Sequence, residues 1–317
     1  MKRVLVTGAD GFVGRWVLRA LLADGWDVHG AVQPGSPHAD GLTDAERDAV
    51  RWSPLELGDV HSVRHLASMT FDAVIHLAAV ASGGDSLRDP GHAWAVNAGG
   101  TARLLGELGR VRTIGDGDPL VVVVSTAEVY GRHACGAIRE TAAPEPCSPY
   151  AASKLGAELA ARETHERTGL RAVVVRPFPH TGPGQDERFV VPALARRLRG
   201  ARFAAASVVK VGNLEPVRDF LDVRDVAAAY LAVLRSGVPG ETYNVASGRG
   251  RALAEVFEAL AAIIGVRVIP EPDAELMRPA DIPELVGDAS KLRSATGWAP
   301  SISFDQTLRD LVDAQAD

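Results

Sequence analysis

Tyr150 and Lys154 stand four residues apart in SPYAASK, a spacing that puts both side chains on one face of a helix. A lysine ammonium beside a phenol stabilises the phenolate, so Tyr150 could exchange a proton with a substrate oxygen near neutral pH. Ser125 and Thr126 follow four valines in VVVVSTAEVYG, and Thr126 could donate a hydrogen bond to that same oxygen. Glu128, two residues further on, is available as a base or as a structural acceptor. A YxxxK pair alone describes many exposed helices. The polar cluster closing an apolar run is what gives this one chemistry.

These groups need elements to hold them. The chain opens KRVLVTGADGFVGRWVLRALLADG, where Val4, Leu5 and Val6 read as a buried strand. Gly8, Gly11 and Gly14 follow at three-residue spacing before a helical pattern. Glycines placed so permit a tight turn, close backbone approach to a diphosphate, and close packing of helix on strand. The helix N-terminus then offers free N–H groups to the anion. A second strand near Trp26 to Val32 completes a βαβ unit, which points to dinucleotide binding. That strand ends AVQPG, with Gln33 where an acid would bind the adenosine ribose hydroxyls. Arg15 could reach a 2′-phosphate or be merely solvated, and the reading leans to NADP(H) over NAD(H). Asp59, in the GDV of Gly58 to Val60, could face the adenine amine or be a loop carboxylate.

The runs RVLV, DVHGAV, RWSPLEL, DAVIHL, LVVVVST and LRAVVVR alternate with helical patterns over Phe12 to Ala23, His61 to Met69, Ala93 to Leu108 and Ser148 to Arg167. This predicts an α/β protein with a Rossmann-type doubly wound parallel sheet. After Pro177 the loop PFPHTGPGQ breaks the alternation, and helices are predicted near Val190 to Arg199, Val223 to Leu234 and Leu253 to Ile264. The expected organisation is a dinucleotide-binding domain over 1–177, to which 222–246 returns. Residues 178–317 form mainly a smaller, interleaved C-terminal substrate lobe.

With 317 residues, 46% hydrophobic and 23% charged, the chain can bury a full core. A net charge of -6 without basic clusters speaks against nucleic acid as a partner. No apolar run reaches membrane-spanning length, and the first strand leaves no room for a signal peptide. Cys135 and Cys147 are the two cysteines, and no His or Cys cluster has metal spacing, so no metal site and a cytoplasmic location are expected. His76 and His180 read as structural, His133 and Cys135 as ordinary loop residues, and Trp16, Trp26, Trp94 and Trp298 as packing residues.

TGADGFVG, HLAA at His76 to Ala79, Asn97 in NAGGT, STAEVYG, YAASK and RPFPHTGPG together resemble the extended short-chain dehydrogenase/reductase family over nearly the whole chain. VRDFLDVRDVAAAY, GETYNVASG and RPADIPELVGDASKLRSATGW resemble the branch of GDP-mannose 4,6-dehydratase and GDP-4-keto-6-deoxymannose reductase, the reductase more closely. The resemblance implies a nicotinamide cofactor held by Gly8, Asp10, Gly11, Phe12, Val13, Gly14, Arg15, Gln33, Asp59, Val60, Leu77, Ala78, Ala79, Asn97, Ser125, Tyr150, Lys154 and Pro177. Thr126, Tyr150 and Lys154 would be catalytic, with Glu128 a further candidate. Ala81, Thr126, Glu128, Pro179, Arg218 and Arg278 would line the nucleotide-sugar site, the two arginines gripping the diphosphate through their planar forks.

Two positions depart from the family pattern. Pro179 replaces the asparagine of RPFNHTGPG, losing a side-chain amide and a backbone donor. Ala127 stands between Thr126 and Glu128, where dehydratases carry a polar or acidic residue. The implied function is reduction of the C4 ketone of an NDP-4-keto-6-deoxyhexose. A 4,6-dehydratase or 4-epimerase holding NAD(P)+ tightly is the alternative, and a non-catalytic dinucleotide-sensing protein is a rival of another class. The resemblance also implies a homodimer through helices Ala93 to Leu108 and Ser148 to Arg167.

Overall fold

The computed structural model describes residues 2–36, 41–132, 136–277 and 282–315. Strands β1 (Arg3–Thr7), β2 (Asp27–Val32), β3 (Arg51–Pro54), β4 (Ala73–His76), β5 (Leu120–Val124) and β6 (Arg171–Pro177) join a later strand, Thr242–Val245, in one seven-stranded sheet. Its order runs from Thr242–Val245 through β6, β5, β4, β1 and β2 to β3, with every pairing parallel. The valine-rich runs are buried on both faces, which is why they read as continuous apolar segments rather than alternating ones.

Alternate side chains sort into two cores. Val4, Val6, Ile75, Val122, Val124, Val173 and Val175 pack with Val17, Leu18 and Leu21 of helix α1 (Phe12–Ala23) and with Val226, Tyr230 and Val233 of helix Val223–Ser236. Leu5, Val74, Val121, Val123, Ala172 and Val174 face the other way. They meet Val63 and Leu66 of helix Val60–Ala67, Leu104, Leu105 and Leu108 of helix Thr101–Thr113, and Ala161 of helix Pro149–Thr168. A third core joins Leu194 and Leu198 of helix Val190–Phe203, Phe257 and Leu260 of helix Leu253–Ile264, and Phe304 and Leu308 of helix Phe304–Ala314.

Two local expectations are corrected. The segment predicted as one helix over Ala93 to Leu108 is a short helix Pro90–Trp94, a π turn Ala95–Gly100 and the helix Thr101–Thr113. Asn97 causes the widening: its amide accepts from Val80 N at 2.7 Å and donates to Val80 O and Ser153 Oγ, while Gly99 and Gly100 give the helix little propensity to resist. The third strand stops at Pro54 instead of Leu57, as an edge strand carrying proline does. Trp94 is 46% exposed, with its ring packed against Gly156 of helix Pro149–Thr168.

Candidate active site

The carboxyl ends of β1, β4, β5 and β6 lie side by side and bring most of the predicted site residues together. At β1 the chain turns at Gly8, with φ +67°, where a Cβ would stand 2.8 Å from Ala78 N; one on Gly14 would stand 2.3 Å from Gly8 O. Side chains are excluded there by the closeness of Leu77, Ala78 and the turn itself. Gly11 is the N-cap of α1, whose first turn has no side-chain cap and no acidic residue. Helices starting at Asp44, Val60, Gly83, Pro149 and Val223 carry side-chain caps, and those starting at Val190, Leu253 and Ser290 do not, but α1 alone among the uncapped ones begins at the glycine turn beside the carboxyl ends of β1 and β4. The uncapped N–H groups near Phe12 and Val13 therefore suit a dinucleotide diphosphate.

Around this turn, Asp10 accepts a hydrogen bond from Ser36 Oγ and so ties it to the loop after β2, where Gln33 is exposed. Arg15 donates to Gly184 O at 2.8 Å, and its guanidinium also borders Gly41. Phe12 stacks on His180 with ring centroids 6.4 Å apart. Asp59 caps helix Val60–Ala67 by accepting from His61 N at 2.9 Å; it and Val60 follow β3, at the sheet edge far from β6. Thr7 Oγ1 accepts from Ala78 N and bonds His76 Nδ1 at 2.7 Å, and Thr101 Oγ1 bonds His76 Nε2 at 2.9 Å. Burial, aided by the Lys154 charge, lowers His76 to about 3, which keeps it neutral.

Helix Pro149–Thr168 starts at the Ser148 cap and carries Tyr150 and Lys154 toward the end of β5. Contrary to the expectation of a lysine-stabilised phenolate, burial and the Glu128 carboxylate hold the Tyr150 phenol above its usual range, and it is the neighbouring Thr126 side chain, not Lys154, that works against that shift. Lys154 is buried, which lowers it to about 8 against the opposing pull of the Glu158 carboxylate. Thr126 Oγ1 accepts from Glu128 N at 3.2 Å and caps the short 3-10 turn Ala127–Tyr130. Pro177 ends β6; Pro179 is half-buried and its carbonyl accepts from Leu221 N at 2.9 Å. Ala81 is exposed in the loop after β4. Arg218 lies on strand Val217–Asp219, in a separate three-stranded sheet. Arg278, His133 and Cys135 lie outside the described residues.

One constellation escaped the sequence reading. Glu158 takes two bonds from Arg176, one from Ser125 Oγ, and lies one turn beyond Lys154. Arg176 stacks over Tyr130 at 4.7 Å, and Tyr130 donates to Asn244 Oδ1 at 2.6 Å. Two signals could have found it: Tyr150, Lys154 and Glu158 share one helical face, and an arginine closing the apolar run AVVVR needs a buried partner.

Residues 5–311 match the family described as GDP-mannose 4,6 dehydratase. The chain belongs to that family. A GDP-6-deoxy-D-mannose reductase of Pseudomonas aeruginosa is 36% identical over 98% of this chain and 96% of its own. The solved structure of RMD from Pseudomonas aeruginosa, complexed with NADPH, superposes with a TM-score of 0.83 at 34% identity, covering 99% of this chain and 98% of that one. A UDP-glucose 4-epimerase of Thermus thermophilus, complexed with NAD, gives 0.84 at 31% identity, covering 98% of each chain. Family membership makes this chain an extended short-chain dehydrogenase/reductase, an NAD(P)-dependent enzyme of the nucleotide-sugar branch. No helix among the described residues is long and apolar enough to cross a membrane.

Proposed function

We propose that this enzyme reduces the C4 ketone of an NDP-4-keto-6-deoxyhexose, a GDP or dTDP sugar. The observation that carries the reading is the placement of Tyr150 beside Thr126 at the end of β5, where a protonated phenol can give its proton to a developing alkoxide. The similarity to a GDP-6-deoxy-D-mannose reductase supports the same direction. A bound nicotinamide would supply the hydride. Thr126 orients the substrate oxygen, Tyr150 delivers the proton, and Lys154 stabilises the resulting phenolate and holds the nicotinamide ribose.

The dinucleotide diphosphate would rest on Gly8, Gly11 and the uncapped start of α1, with Leu77 to Ala79, Asn97, Ser125 and Pro177 along the carboxyl edge. NADP(H) is favoured, because exposed Gln33 puts no carboxylate against a 2′-phosphate and Arg15 borders the same loop. The lobe beyond Pro177, with Arg218 and Arg278, would take the nucleotide sugar. Leu87, Trp94 and Leu159 are exposed apolar side chains on helices Gly83–Arg88, Pro90–Trp94 and Pro149–Thr168, which pack on one another, and their exposure supports a homodimer.

A second reading rests on Glu128, whose carboxylate is close enough to act electrostatically on Tyr150. As a base it would remove the C5 proton in a 4,6-dehydratase. The deciding experiment incubates the purified protein with GDP-4-keto-6-deoxymannose and with its dTDP counterpart, each with NADPH and with NADH. Loss of absorbance at the reduced nicotinamide band is expected, faster with NADPH. Tightly copurifying NAD(P)+ with no consumption of added cofactor would move the assignment to dehydratase or epimerase. Cofactor binding with no turnover of any keto sugar would indicate a dinucleotide sensor.

A further inference from the structure

Strand Val217–Asp219 runs between two others in the order Gly250–Ala252, Val217–Asp219, Glu284–Leu285. Its pairing with Gly250–Ala252 is antiparallel and sets Arg251 directly opposite Arg218. Residues directly opposite in such a ladder project from the same face with their Cβ atoms about 5 Å apart, and like charges there are destabilising. Both arginines are half-buried, where solvent screens less than at an open surface.

Arg251 makes no hydrogen bond or ion pair to a described residue, and its guanidinium lies 4.9 Å over the Phe304 ring. Phe304 is itself stacked on Phe220 at 5.6 Å. The aromatic pair fixes the plane of the guanidinium and leaves its N–H edge unspent, a preorganised state for a planar, two-point contact with phosphate. The backbone below is equally fixed. Asp219, fully buried, accepts from Ser247 N, Gly248 N and Gly287 N, and so clamps the turn that leads into Gly250–Ala252. Gly287 in turn abuts Phe178 at the carboxyl end of β6: a Cβ there would stand 2.5 Å from that ring. The sheet is thereby anchored beside the candidate active site.

From this arrangement we infer that Arg251 is a substrate-binding residue which, opposite Arg218, holds the diphosphate of the nucleotide sugar. The inference rests on the nucleotide-sugar reading above and adds a residue to it. A bound diphosphate would meet two guanidinium groups carried by one face of the ladder, so Arg251 gives most when two phosphates are present.

The test is calorimetric titration of the NADPH-loaded protein with GDP, UDP and dTDP, then of Arg251→Gln and Arg251→Lys with each diphosphate that binds and its monophosphate. Expected is a loss of roughly tenfold to a hundredfold in diphosphate affinity for Arg251→Gln, the scale of one charge-assisted contact. A smaller loss is expected for the monophosphate and partial recovery in Arg251→Lys, with NADPH affinity retained in both variants as evidence of folding. Diphosphate binding unchanged in Arg251→Gln overturns the role of Arg251 and leaves the functional reading standing. Failure of the unaltered protein to bind any of the three diphosphates overturns both.

Discussion

Glu158 and Arg176 form a two-point ion pair, Nε to Oε1 at 3.0 Å and Nη2 to Oε2 at 2.6 Å, with both side chains less than a tenth exposed. It fastens the helix of Tyr150 and Lys154 to the end of β6, and Ser125 Oγ adds the end of β5 to the same carboxylate. Glu158→Gln leaves the guanidinium buried beside a neutral amide, so denaturant unfolding is expected to report a loss of about 3–5 kcal/mol. Glu158→Gln combined with Arg176→Met should recover part of it. With Arg176→Met measured alone as well, a double-variant loss equal to the sum of the two single losses would mean the pair is not coupled.

Tyr150→Phe removes the proton donor and leaves the ring in place. Turnover of the keto sugar should fall by about 10²- to 10⁴-fold, the range of general acid catalysis. NADPH affinity, read by fluorescence titration, should be retained. Full activity in this variant would sink the assignment of Tyr150.

Lys154 is charged at pH 7 although buried, since its pKa is lowered to about 8 from an ordinary 10.5. Between those values the unfolded chain binds more protons, so this group's contribution favours folding above 10.5 and is lost as pH falls through about 8. Lys154→Met should therefore stabilise the cofactor-free protein at pH 7, by about 1–3 kcal/mol, while abolishing turnover. Unfolding midpoints of both proteins at pH 7 decide the point; a lower midpoint for the variant would show that the charge is well compensated.

His76 holds Thr7 and Thr101 while neutral, its pKa lowered to about 3 from 6.5 by burial and then by Lys154. The stability it contributes is full above 6.5 and is lost as pH falls through about 3. Across pH 4 to 6 the unfolding free energy of His76→Gln should depend on pH less steeply, by about 1.4 kcal/mol per pH unit, the weight of one proton. Identical slopes would place the acid sensitivity elsewhere.

Trp94 lies against Gly156 on the exposed face of helix Pro149–Thr168. Light scattering should return about twice the 33.4 kDa chain mass, and Trp94→Glu should shift the protein toward the single-chain mass by placing a charge in an apolar contact. A single-chain mass for the unaltered protein would refute the dimer.

Much of this molecule is legible in its sequence because the relevant signals are local. Six of the seven sheet strands appear as apolar runs, α1 and helix Leu253–Ile264 have their predicted bounds, and Tyr150 and Lys154 share a helical face by spacing alone. The turn of Gly8, Gly11 and Gly14 announces itself by composition, since closely packed backbones there leave no room for a Cβ. Other features depend on which distant segments meet. Asn97 opens a π turn because Val80 and Ser153 are there to receive it; Arg176 finds Glu158 across the β6–helix contact; Arg251 faces Arg218 through a strand register. Local propensity fixes the elements, whereas register and packing between them decide which charges and polar groups become partners, and tertiary structure alone carries that information.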